Sequence, residues 1–166
     1  MNFNIRDYVV YFSGEICLID SIVKRRFDGV NEIEYYKLIP INSKKSSYYI
    51  PCNNCDTKIR SLLTKDEIFK LIDEMPDAAT KWCEDKNARK SLFKSVLKGD
   101  DYHKLLDMMH TLYVQRENQR EKGQKLQAAD EKAMADAEHI LYQEFAFVLK
   151  IPETQVEDFI KEGLKQ

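Results

Sequence analysis

The hydrophobic pattern of this chain changes period once, near Thr64, and that change sets the architecture. Before it, apolar and aromatic residues come in short runs closed by turn residues, as strands do. After it, apolar residues recur at three- and four-residue steps, as they do on helices. Strands gathered in one half and helices in the other read as an α+β chain, a small β module followed by a helical bundle. The boundary falls between two domains, 1–62 and 63–166.

In the first domain Tyr8-Val9-Val10-Tyr11-Phe12 is one β-rich run, broken by Ser13-Gly14. Ile16 and Leu18 open a longer strand that continues through Ser21-Ile22-Val23 toward Phe27. Asp28-Gly29 is a hairpin turn signal, because glycine accepts the positive φ such turns require. Glu34 to Ile39 is the returning strand, ended by Pro40. Asn42 to Ser46 is a polar turn, and Tyr48-Tyr49-Ile50 is another strand, stopped by Pro51. Short strands at this spacing predict a small, strongly bent sheet or barrel. In each pair Tyr35-Tyr36 and Tyr48-Tyr49, alternation turns one ring to the core and the other to solvent. The outward rings suit a protein interface or a stacking platform for single-stranded nucleic acid.

In the second domain Thr64-Lys65-Asp66-Glu67 matches a capping box, followed by Ile68, Leu71 and Ile72 on one helical face. Met75-Pro76-Asp77 breaks that helix. A basic helix is predicted over about 78–97, with Leu92, Phe93, Val96 and Leu97 as its apolar side and Gly99 as its stop. Leu105, Met108, Met109, Leu112 and Tyr113 mark a third helix. A polar connection from Arg116 to Lys125 follows, then a helix over about 128–149 and a short last helix opened by Pro152.

The charge is divided unevenly. Residues 1–65 carry a net +3 and residues 66–166 a net −5, yet within the acidic half residues 81–98 hold six basic side chains against two acidic ones. Lys86, Lys90, Lys94 and Lys98 step by four and form a slowly drifting stripe on one helix face, widened by Arg89. Trp82, the only tryptophan, lies just ahead of them. A cationic stripe reaches phosphates, and a flat apolar ring at its edge can wedge against a base step. Packing of Trp82 in the core and solvation of the stripe are the plainer readings of the same residues.

Other classes find less support. No run of about 18 apolar residues exists, so no membrane-spanning helix is expected, and the N-terminus lacks the features of a signal peptide, so a cytoplasmic protein is expected. No Gly-rich phosphate loop, G-x-S-x-G or H-E-x-x-H occurs, and no catalytic group stands out. Cys52-Asn-Asn-Cys55 has the spacing of half a zinc site, but no second ligand pair accompanies it; ordinary thiols without metal or cofactor are expected.

The order of features resembles the CarD family of bacterial RNA polymerase-binding transcription regulators. The resemblance rests on Phe3, Asp7, Val9-Val10-Tyr11 and Gly14, the Tyr35-Tyr36 strand, Pro51, Ile59-Arg60, Trp82, Lys98-Gly99-Asp100, Leu112-Tyr113 and, most specifically, the stretch from Glu131-Lys132 through Met134, Ala137 and Ile140-Leu141 to Glu144-Phe145-Ala146. It covers about residues 1–149. The chain departs from the family pattern at Arg6, where the family has glycine, and at Tyr49, where it has arginine. Cys83-Glu84-Asp85 also intervene between the tryptophan and the basic residues.

The resemblance implies an N-terminal Tudor-like barrel that pairs a sheet edge with the polymerase β subunit, with Arg25 and Tyr49 at the contact. It implies a helical domain that lies on promoter DNA at the upstream edge of the bubble and stabilises the open complex. There Trp82 would wedge into the minor groove, and Lys86, Arg89, Lys90, Lys94 and Lys98 would hold the phosphate backbone. The rival expectation is a polymerase-docked adaptor whose acidic helical half binds protein without touching DNA. A monomer is expected, with a weak domain-swapped dimer through the sheet edge as the alternative.

Overall fold

A computed structural model describes residues 3–12, 14–43, 45–75 and 81–163. The chain is α+β, a five-stranded antiparallel sheet followed by five helices. It divides into two compact units, Met1–Leu62 and Leu63–Gln166, each with its own core.

The sheet consists of β1 (Tyr8–Tyr11), β2 (Glu15–Arg25), β3 (Ile33–Pro40), β4 (Tyr48–Pro51) and β5 (Ile59–Ser61), in the order β4-β3-β2-β1-β5. Among the described residues β4 and β5 do not pair with each other, so the sheet is open, with those two strands as its edges. The β2–β3 hairpin turns at Asp28-Gly29. Gly29 takes φ +75°, and the Asp28 carboxylate accepts the Val30 and Asn31 N–H groups at 3.0 and 2.9 Å. The pairing register shifts between Ile19 and Ser21, leaving Asp20 as a bulge that bends the long β2.

Inside this unit Phe3, Val9, Cys17, Ile19, Tyr36, Leu38, Ile50, Cys55 and Ile59 form the core. The Tyr36 hydroxyl both accepts from the Phe3 N–H and donates to the Phe3 carbonyl, at 3.3 Å each. Arg6 adopts φ +77°, a conformation that suits glycine, at the turn leading into β1. Its N–H donates to the Ile19 carbonyl at 2.8 Å.

The helices are α1 (Lys65–Glu74), α2 (Lys86–Lys98), α3 (Tyr102–Glu121), α4 (Ala128–Leu149) and α5 (Glu153–Gly163). The capping box closes at α1 as the sequence predicts: Glu67 N–H donates to Thr64 Oγ1 at 3.2 Å, and Thr64 N–H to Glu67 Oε2 at 2.7 Å. The Thr64 N–H, and after it the Thr64 hydroxyl at 2.9 Å, both donate to the Glu67 carboxylate and hold it below the usual carboxylate range.

Three boundaries differ from the sequence expectation. The basic helix is capped by Asp85, whose carboxylate accepts the Ala88 N–H at 2.6 Å, so it begins at Lys86. The expected start over 78–80 and the break at Pro76-Asp77 lie outside the described residues. The third helix runs on through Arg116 to Glu121, which confines the polar connection to six residues, 122–127. Gly99 ends α2 in an extended conformation, φ −80° and ψ 177°, rather than the left-handed one expected of a terminal glycine. The left-handed stop appears instead at Lys150, φ 58°, at the end of α4.

Ile68, Leu71, Phe93, Leu105, Leu112, Ala137, Leu141, Phe145, Val156 and their neighbours pack into one core shared by all five helices. No helix among the described residues is long and apolar enough to cross a membrane.

Candidate functional site

α2 has two faces, and its sequence determines which residues go where. Phe93 is buried, and Arg89, four positions earlier on the same face, is buried with it at 4% exposure. Lys86, Lys90, Lys94 and Lys98 fall on the exposed side. None of these four lysines forms an ion pair among the described residues. They are the lysine stripe read from the sequence.

Arg89 is a correction to that stripe. Its Nε and Nη2 donate to the two oxygens of Asp130 at 2.9 and 2.8 Å, a bidentate pair with both side chains buried. Nη1 donates to the carbonyls of Cys83 at 2.8 Å and Glu84 at 3.3 Å. A guanidinium already shared among a carboxylate and two carbonyls is not open to a phosphate. The Asp130 hydrogen bonds raise the Arg89 pKa, and a guanidinium is charged in any case. Asp130 belongs to the first turn of α4, where the helix dipole favours a carboxylate.

Trp82 lies before α2 rather than on it. Its ring is half-buried against the helical core, and the Arg89 guanidinium sits 4.4 Å from the ring centroid. The packing reading of this residue holds in part, since the ring is partly buried on the core, and in the chain it lies four residues ahead of Lys86, the first lysine of the stripe. Asp130, the residue that fixes Arg89, does not stand out in the sequence. Its 41-residue separation from Arg89 leaves no periodic trace.

The structure brings Arg25 and Tyr49 together in the first unit. Arg25 ends β2 and is exposed, and Tyr49 lies on the edge strand β4, with the guanidinium 6.0 Å from its ring centroid. Phe27 joins them: its ring centroid is 5.6 Å from Tyr49 and 4.9 Å from Tyr35, and it is 62% exposed. In the sequence Phe27 marks only a strand end. An aromatic residue next to a polar hairpin turn is the signal that singles it out.

The tyrosine pairs are less available than alternation suggests. Tyr36 enters the core, and Tyr35, on the opposite face, is buried in contact with Phe27. Tyr48 stacks on Tyr11 at 4.7 Å and donates to Glu15 at 3.0 Å. Rings already engaged in this way do not form an open stacking platform for bases.

Cys52 and Cys55 are thiols outside any disulfide, and burial pushes both pKa values up. Among the described residues no three His, Cys, Asp or Glu side chains gather as a metal would need. No protein-family model matches the chain, and no curated protein matches it.

Proposed function

We propose that this protein is a transcription regulator of the CarD type, a non-enzymatic factor that binds RNA polymerase and stabilises promoter open complexes. In this reading the N-terminal unit has a Tudor-like fold, to which its bent antiparallel sheet is suited. The open edge of β4 adds to a strand of the polymerase β subunit, with Arg25, Phe27 and Tyr49 beside it as the side-chain contact. The helical unit lies on duplex DNA at the upstream edge of the melted region. Lys86, Lys90, Lys94 and Lys98 neutralise phosphates, and Trp82 abuts the minor groove.

One observation carries this reading: a tryptophan held at the end of a helix whose four outward lysines have no carboxylate partner among the described residues. A solvated surface helix commonly pairs such lysines within itself, as Lys132 and Asp136 do on α4 at 3.0 Å. Binding of the full chain to a β-subunit fragment and, separately, to a promoter duplex tests the two halves of the proposal. Loss of the first with Arg25→Glu and of the second with Lys90→Glu/Lys94→Glu is expected. Wild-type binding by both variants would contradict it.

The adaptor reading draws on the net −5 of residues 66–166 and the half-buried state of Trp82. It predicts no affinity for duplex DNA at low salt, where the first reading predicts its strongest binding.

A further inference from the structure

Trp82 precedes α2, so the helix does not fix its ring. Arg89 does so in two ways. Its Nη1 donates to the carbonyls of Cys83 and Glu84, the two residues that lead from the ring into the helix. Its guanidinium also lies against the ring, 4.4 Å from the centroid. Asp130 then holds the guanidinium itself through two hydrogen bonds, from the first turn of another helix. Backbone and ring are thus tied to one planar cation, and that cation is tied to α4.

We infer that Arg89, locked by Asp130, is a positioning residue that presets Trp82 for its DNA partner. The inference rests on the duplex-DNA reading above. An aromatic ring on an unconstrained segment has to be ordered at the moment of binding, and that ordering reduces affinity. Here the ordering is done within the folded protein, and the ring stays partly accessible, just ahead of the helix that carries the four lysines. Lysine cannot replace Arg89, because an ammonium has no planar fork to bond a carboxylate and two carbonyls while stacking on a ring.

Because Trp82 is the only tryptophan, its fluorescence reports this ring alone. The experiment uses the full chain and a promoter duplex with a melted segment. The double variant Arg89→Met/Asp130→Leu removes the pair without leaving a buried charge. It is expected to unfold cooperatively with wild-type far-UV circular dichroism, while acrylamide quenching of Trp82 rises about twofold and affinity for the duplex falls about fivefold, the size of one cation–π interaction. The salt dependence stays unchanged, since all four lysines remain. In a Trp82→Ala background the same two substitutions are expected to have no further effect on affinity, because the clamp acts only through the ring.

If the double variant does not fold, Arg89→Lys supplies the same comparison. Unchanged quenching in a folded variant would overturn the inference, as would a released ring with wild-type affinity, or an equal affinity loss in the Trp82→Ala background. A shielded Trp82 in a wild-type protein that binds no duplex would overturn it differently. That result removes the DNA reading itself and leaves the clamp as part of the core.

Discussion

Leu63 and Glu144 stand 81 residues apart in the chain and are joined by a 2.7 Å hydrogen bond from the Leu63 backbone N–H to Glu144 Oε1. The Tyr102 hydroxyl donates to the other carboxylate oxygen, and Glu144 is fully buried. One carboxylate therefore ties the first residue of the helical unit to the start of α3. Replacing it with leucine removes an acceptor from a buried hydroxyl and from a backbone N–H, at about 0.5–1.5 kcal/mol for each hydrogen bond lost. Urea denaturation of Glu144→Leu is expected to show that loss, and Tyr102→Phe a smaller one. Wild-type stability in Glu144→Leu would contradict the role assigned to the carboxylate.

The Arg89–Asp130 pair has the asymmetry of a buried ion pair. Removing Asp130 strands an Arg89 charge whose side chain is only 5% exposed. Asp130→Ala is expected to destabilise the helical unit by about 3–5 kcal/mol, whereas a volume-matched apolar replacement of both residues costs far less. Thermal or urea unfolding of the single and double variants measures this directly. An Asp130→Ala variant as stable as wild type would contradict the pair's importance to the core.

Cys17 predicts a stability loss at alkaline pH. Burial, reinforced by the nearby Glu15 charge, pushes its thiol up to about 12. In the unfolded chain the thiol ionises near its ordinary value, so from about pH 9 upward the unfolded state releases a proton that the folded state keeps. Stability therefore falls by about 1.4 kcal/mol per pH unit from this one group, until the folded thiol also ionises. Cys17→Ala removes that slope. Other alkaline groups act in both proteins, so the difference between wild type and Cys17→Ala isolates it. A difference that does not change with pH between about 9 and 11 would contradict the burial argument.

The lysine stripe predicts a salt dependence. Each lysine that neutralises a phosphate adds about 0.9 to the steepness with which log affinity falls against log salt on duplex DNA. Lys90→Gln/Lys94→Gln is expected to reduce that slope by about two units and to weaken binding to all sequences equally. A slope equal to wild type would show that these lysines do not meet phosphates.

The fold is legible in the sequence where local chemistry determines it. The Thr64–Glu67 capping box, the Asp28-Gly29 hairpin and the change of period near Thr64 all act over a few residues, and all are present in the structure. Sequence and structure part where a short element or a distant contact decides. β5 has only three residues, Ile59-Arg60-Ser61, too few to show alternation, and it forms because β1 offers an edge. Charge alone places Arg89 in the basic stripe, whereas its four-residue spacing to Phe93 sets it on the apolar face. Glu144 is visible as an anomaly, a carboxylate three residues after Leu141 and next to Phe145. Leu63 and Tyr102, which it holds, lie 81 and 42 residues away and leave no mark in the local sequence.

The central claim is that Trp82 at the head of the lysine stripe holds promoter DNA open. The lifetime of open complexes formed by the cognate RNA polymerase tests it, measured with competitor challenge for polymerase alone, with the wild-type protein, and with Trp82→Ala. The account predicts a longer lifetime with wild type and most of that gain lost in Trp82→Ala, while binding to the β-subunit fragment stays intact. A lifetime extended equally by both proteins would contradict the wedge. No extension by the wild type, despite polymerase binding, would contradict the proposed function as a whole.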